Sequence, residues 1–350
     1  MCGIAGIVLH QEFIKKAESK EDYYDIGSLL VNMAKAQQVR GQDSFGIGVF
    51  TEKLKDSYKF NIVHTKEESA IVEQTLESAS IAGREYYLTN PVSEKAEYLV
   101  SEYKVERKGL ERVSGRLFDL CAKENDIWIM SHGERLIILK DIGLVSGLAP
   151  TWFDMESNKK TLEYGSSNQW NYARYGTHGV SHVRISTGSE VNAKNAHPVC
   201  VGNLGDLAIV HNGEVSNADY LRKRLMDKGY TFVGLNDTEV IGTYIANQLI
   251  KGVSLEEAAA HFIEEATGYF TCLAATKQGM AFFKDRAATR PAAFGEHAPR
   301  DDDDLCFSAI ATDFSALDIV GVNPKTISTL DSGEVKVFYT GISQSYDKLT

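Results

Sequence analysis

Nowhere in this chain do Lys and Arg cluster beyond the triplet Arg222-Lys223-Arg224, and the formal net charge is −11. A phosphate backbone or an anionic bilayer needs a concentrated positive footprint, so the composition argues against nucleic-acid and membrane partners. CxxC pairs and framework spacings are missing too. The cysteines are odd in number and scattered, at Cys2, Cys121, Cys200, Cys272 and Cys306. They read as reduced thiols of a cytoplasmic protein. Long apolar runs are also absent. The longest, residues 2–9, has no basic region before it and ends at His10-Gln11-Glu12, which fits neither a signal peptide nor a membrane span.

What is present is ordinary globular composition, 43% apolar and 24% charged over 350 residues. That suffices for a sizeable core in two domains, or in one large domain carrying an insertion. Residues 2–9 lack helical period and predict a buried strand. Ile26, Leu29, Leu30, Met33 and Ala36 mark one face of a helix over 25–39, leading through the loop 40–46 into a strand at 47–50. The stretch from about 51 to 175 is charged and of mixed period, with helices expected near 66–80 and 97–121 and strands at 127–130 and 136–139. It carries nothing catalytic and is too apolar to be disordered, so it reads as an inserted subdomain of a single 1–350 domain.

Strands return at 179–185 and 204–210. Asn217 is expected to N-cap a helix ended by Gly229, Asp237 to cap another over 238–250, and Ser254 with Glu257 to form a capping box for a third reaching Ala266. Strands follow at 269–275, 280–284, 305–309 and 334–339. Helices followed by runs of strands indicate α+β with antiparallel sheets. The acidic run 301–304 reads as a surface loop, because four consecutive carboxylates cannot converge on one ion.

Cys2 follows the initiator, and a small second residue permits removal of Met1. The thiol and a free α-amine would then share one residue. A cysteine of pKa about 8.5 is only roughly 3% thiolate at pH 7, and an α-amine of pKa about 7.7–8.0 is a suitable base for it. Met-Cys taken alone favours a buried strand cysteine. His211-Asn212-Gly213 follows an apolar strand and precedes a helix, a corner at which the Asn212 amide and the Gly213 N–H could form an oxyanion hole, although His-Asn-Gly is also a common turn. Arg184 ends a strand where packing alone would favour an apolar residue, and its guanidinium can clamp a carboxylate. Asp237 suits an ammonium as well as a helix cap. Together these describe a site for glutamine: Arg184 for the α-carboxylate, Asp237 for the α-ammonium, Cys2 for the side-chain carbonyl. His182, His197 and His211 lack HxxxH or HxH spacing, so rings bonded to backbone are expected rather than a metal site. No motif calls for a cofactor.

The chain resembles the class II glutamine amidotransferases, the Ntn family whose glutaminase domain begins with a nucleophilic cysteine. The resemblance rests on six motifs in order: residues 2–6 (CGIAG), 40–46 (RGQDSFG), 182–187 (HVRIST), 195–198 (NAHP), 211–213 (HNG) with Asn217, and 237–239 (DTE). Residues 268–270, 284–286, 290–291 and 307–309 look like the family's closing strands. The resemblance implies a four-layer αββα sandwich of two mainly antiparallel sheets. It also implies that Arg40 and Gly41 line the nucleophile pocket and that Thr187 and His197 help bind glutamine.

Two departures stand out. The interval between Arg40 and Arg184 is far longer than in the amidotransferases that make glucosamine phosphate or phosphoribosylamine, and is more like the stand-alone glutaminase subunits related to glutamate synthase and N-methylglutamate synthase. No phosphoribosyl-pyrophosphate loop, sugar-isomerase domain or flavin-binding barrel follows. The expectation is a glutaminase that forms a γ-glutamyl thioester on Cys2 and delivers ammonia to a separate synthase subunit. An Ntn amidase acting on another amide and a catalytically idle assembly subunit remain as alternatives, and a homo-oligomeric state is left open.

Overall fold

The computed structural model describes residues 2–76, 80–87, 98–154, 170–186, 190–202, 204–297 and 305–342. The chain starts with β1 (Gly3–Leu9), α1 (Gln11–Lys20), β2 (Tyr24–Asp25), α2 (Ile26–Ala36), β3 (Ser44–Phe50), β4 (Ser57–Thr65), α3 (Ser69–Leu76) and β5 (Ser80–Tyr87). Next come β6 (Tyr98–Glu106), α4 (Leu110–Lys123), β7 (Trp128–Gly133), β8 (Leu136–Ile142), α5 (Val145–Trp152), β9 (Tyr175–Gly176), β10 (His178–Arg184) and β11 (Leu207–Val215). The remainder is α6 (Ala218–Met226), α7 (Asp237–Ile250), α8 (Leu255–Glu265), β12 (Gly268–Thr276), β13 (Gly279–Lys284), β14 (Ala293–Glu296), β15 (Phe307–Ala311), α9 (Phe314–Asp318), β16 (Ser328–Thr329) and β17 (Val335–Tyr339).

One sheet runs β16-β14-β15-β1-β10-β3-β8 and a second β11-β12-β13-β17, and their ladders are antiparallel. Side chains alternate across a strand, so a sheet covered on both faces feeds two cores. Ala208, Val210, Leu273, Ala275, Met280 and Phe282 join the core shared with β1, β10 and α2. Their neighbours Ile209, Cys272, Ala274, Ala281 and Phe283 join the core shared with α7 and α8. The layers are therefore α2, large sheet, small sheet, α7 with α8. This is the expected α+β fold with four αββα layers. Among the described residues no helix is long and apolar enough to cross a membrane.

The stretch 51–175, expected as one inserted unit, divides in two. A third sheet, β5-β6-β4-β7, and the helices α3 and α4 enclose a core of their own around Phe60, Val72 and Leu117. In contrast, β8 is the edge strand of the large sheet, paired with β3 from Ser44↔Ile142 to Phe50↔Leu136. The helix expected over 97–121 is also corrected. Its first part is β6, paired with β4, and helix begins only at Leu110. Glu102 and Lys104 lie inside this strand, and Glu102 is buried against the Tyr172 hydroxyl; such charges imitate the polar face of a helix. The acidic run 301–304 lies outside the described residues.

Candidate active site

Cys2 immediately precedes β1, which lies between β10 and β15 through pairs such as Gly3↔Val183 and Ala5↔Ala311. The Ile185 backbone N–H donates to Cys2 Sγ at 3.4 Å, and Sγ is also 3.4 Å from Ile185 O. Cys2 borders a cleft of about 110 Å³ whose other walls are Arg40, Ile185, Asn212, Gly213, Arg290, Pro291 and Thr312.

Asn212 and Gly213 were expected at a corner where their strand ends. Instead β11 continues to Val215, with Asn212 opposite Thr271 and Gly213 opposite Phe270; the ladder to β12 overrides the local turn signal. Gly213 has φ +126, and a Cβ there would stand 1.9 Å from Tyr269 O, so glycine is required by both conformation and space. Asn212 Nδ2 donates to Cys2 O at 3.0 Å and to Thr312 Oγ1 at 3.1 Å. On its other side, His182 Nε2 is 3.2 Å from both Asn212 Oδ1 and the carbonyl of His211. Two acceptors facing one ring nitrogen require a proton on it, and that N–H in turn holds Asn212 with its NH₂ toward Cys2.

The other side of the cleft is built on the turn after α2. Arg40 Nε donates to Asp313 Oδ2 at 3.0 Å. Burial raises the Asp313 pKa, but the Ser315 amide and hydroxyl and the Arg40 guanidinium outweigh it and bring it below the ordinary carboxylate value. Gly41 presses on β10: a Cβ there would lie 2.5 Å from the Val183 carbonyl and from Arg184 N. Asp43 then ties down the turn beyond β10, accepting from Ser186 N at 2.7 Å. Arg184 ends β10 and is 8% exposed. Burial lowers its pKa, opposed by the charges of Cys2, Asp43 and Asp237.

Asp237 opens α7, but the N-cap is its neighbour Asn236, whose side chain accepts from Glu239 N. Asp237 instead accepts from Val215 N at 3.0 Å and lies 3.5 Å from His211 Nδ1. Asn217 does stand at the N-cap position of α6, yet its side chain makes no capping bond; it bonds Glu265 O and Thr267 N. The capping box of Ser254 and Glu257 is complete. Thr187 lies outside the described residues.

His197 is buried and does not line the cleft; its Nδ1 is 3.3 Å from His182 Nε2 and its Nε2 2.9 Å from the Thr238 hydroxyl. Burial lowers the pKa of all three rings, that of His182 to about 3 and that of His197 well below its ordinary value; the His211 ring is lowered too, with Asp237 opposing. Neutral imidazoles thus connect Asn212 to Asp237 by way of Thr238, an arrangement not evident from positions 182, 197 and 211.

Sequence reasoning missed Asp43, Thr312 and Asp313. Each is a polar residue beside a strand end, and only the topology brings them to Cys2. It also missed a group at the opposite end of β1, where ligand atoms of His10, Glu12 and Cys306 lie within 4.8 Å of one another. His10 Nε2 there already contacts Glu296 Oε2 at 2.7 Å.

Residues 182–315 match the family model for a glutamine amidotransferase domain. Over 343 residues the chain is 26% identical to a putative glutamine amidotransferase of Methanothermobacter thermautotrophicus, covering 97% of this chain and 99% of that one. It is 29% identical to the glutamine amidotransferase-like protein GlxB of Rhizobium meliloti, over 85% and 86% of the two chains. Among solved structures, glutamine phosphoribosylpyrophosphate amidotransferase from B. subtilis superposes with a TM-score of 0.54 at 17% identity, over 100% of this chain and 49% of that one. At that identity the superposition speaks for the fold alone, and this chain spans about half of that protein's length. Over residues 182–315 the chain is thus similar to a glutamine amidotransferase domain, and over most of its length to two proteins described as putative or glutamine amidotransferase-like.

Proposed function

We propose that the protein is a glutaminase that uses Cys2, freed of Met1, as nucleophile. The observation that carries this reading is the meeting of Cys2, Asn212, Gly213 and Arg40 on one cleft. The α-amine of Cys2 takes the thiol proton, and the thiolate adds to the side-chain carbonyl carbon of glutamine. Negative charge on the carbonyl oxygen is met by the Asn212 amide and the Gly213 N–H. As the tetrahedral adduct collapses, the C–N bond breaks and the proton passes to nitrogen, releasing ammonia and leaving a γ-glutamyl thioester. Water then attacks this ester to give glutamate and restore the thiol.

Arg184 holds the α-carboxylate and Asp237 the α-ammonium, with Arg40 and Gly41 shaping the pocket and Thr187 and His197 assisting substrate binding. Ammonia passes to a separate synthase subunit, and the whole operates in the cytoplasm. Ammonia release from glutamine by chains whose N-terminus is verified as cysteine tests the proposal: a Cys2→Ala variant should be inactive while keeping its circular dichroism. Undiminished ammonia release by that variant would end the reading. Copurification of an ammonia-consuming enzyme tests the partner separately.

A further inference from the structure

A second cavity, of about 70 Å³, lies where α4 and β7 meet the chain around 194–202 and the loop leading into α7. Nothing in the glutaminase reading uses it. Much of its wall is apolar, with Phe118, Ile129, Val199 and Phe232 contributing, but two polar groups stand out. The indole N–H of Trp128 is buried without a hydrogen-bond partner, and an orphaned buried donor in a native fold calls for an explanation. Lys194 is partly buried, and its ammonium makes no hydrogen bond or ion pair among the described residues and lies 5.8 Å from the Trp128 ring centroid.

The Glu239 carboxylate and the His132 ring in the wall are already engaged. Glu239 takes the amides of Val233 and Gly234 at 2.7 and 2.8 Å. The two ring nitrogens of His132 are bound to Tyr58 and Val201. Lys140 donates to the carbonyls of Lys194 and Ala196. Two residues of the wall thus carry donors without a hydrogen-bond partner among the described residues, one of them cationic, beside apolar surface, and the complement of such a pair is a carboxylate on an apolar body. Size restricts that body. A cavity of about 150 Å³ admits benzene, and one of about 70 Å³ leaves room for only a short aliphatic group.

We propose that this cavity binds a short-chain aliphatic carboxylate, its oxygens on Lys194 Nζ and the Trp128 indole N–H and its alkyl group against Phe118, Ile129, Val199 and Phe232. The Glu239 charge does not forbid this, because the amides of Val233 and Gly234 and the cations of Arg222 and Lys194 all act to offset it.

Calorimetric titration of the chain with propanoate tests the proposal, and its readout is independent of glutaminase activity. Saturable one-to-one binding is expected, weakened about tenfold or more in Lys194→Met and in Trp128→Phe and unchanged in Cys2→Ala. The neutral analogue propanamide should bind the unaltered chain at least about tenfold more weakly, a comparison that needs no variant. Absence of saturable binding, equal affinity for acid and amide, or full affinity in both wall variants overturns the assignment.

Discussion

The side-chain amide of Asn212 donates to the main-chain carbonyl of Cys2 across 3.0 Å, so the proposed oxyanion donor and the proposed nucleophile are fixed to each other. Replacing Asn212 by Ala removes a donor that the reaction uses only when charge develops on oxygen. The kcat for glutamine hydrolysis should fall about 10²- to 10³-fold, with circular dichroism unchanged. A loss smaller than tenfold would remove Asn212 from the oxyanion role.

Arg184 is assigned to the substrate α-carboxylate, so its loss should depend on whether the substrate has one. In Arg184→Met, kcat/KM for glutamine should drop roughly 10- to 150-fold, the equivalent of one charge-assisted contact of about 1.5–3 kcal/mol. Hydrolysis of a simple amide without the carboxylate should be nearly unaffected. Equal losses on both substrates would mean that Arg184 serves the structure instead.

Gly213→Ala tests the geometry of β11 through stability. With φ +126 and a Cβ that would meet Tyr269 O at 1.9 Å, the variant should lose more than about 3 kcal/mol in urea unfolding. Gly109→Ala, where no atom lies within 4 Å of the added carbon, should stay within about 0.5 kcal/mol of the parent. Comparable losses in the two would contradict the packing described.

Buried imidazoles set a pH dependence with a defined sign. Burial holds His178 and His182 at about 3 and His132 at about 4, whereas in the unfolded chain each returns to about 6.5. The unfolded state therefore binds more protons below pH 6.5. Stability from these groups is complete above about pH 6.5 and is lost as pH falls toward 4. Urea unfolding near pH 5 should take up about three protons from these rings; stability that stays level from pH 7 to 5 would refute their neutral burial.

How much of this could be read in advance varied with the source of each signal. β1 and α2 were legible because their apolar patterns match the layers that bury them, and the Ser254–Glu257 box because it is closed within one turn. Asp237 was misplaced by one position, since Asn236 and Asp237 are equally good caps and tertiary bonds from Val215 decide between them. β6 was taken for helix because its buried Glu102 finds its partner in Tyr172, far along the chain. The residues meeting at Cys2 were nameable from their motifs. Their support by Thr312, Asp43 and His182 was not, because hydrogen bonds spanning the sheets leave no spacing in the sequence.

The central place of β1 has a consequence for biosynthesis. Its hydrogen-bonding partners are β10, ending at Arg184, and β15, ending at Ala311, so β1 cannot be flanked on both sides until most of the chain has been made. At about 5–20 residues per second that interval is roughly 15–60 s. Under the proposed function, that interval is available to the aminopeptidase that would expose Cys2. On that reading maturation precedes closure of the large sheet, and nascent chains arrested before β15 emerges should already begin with cysteine.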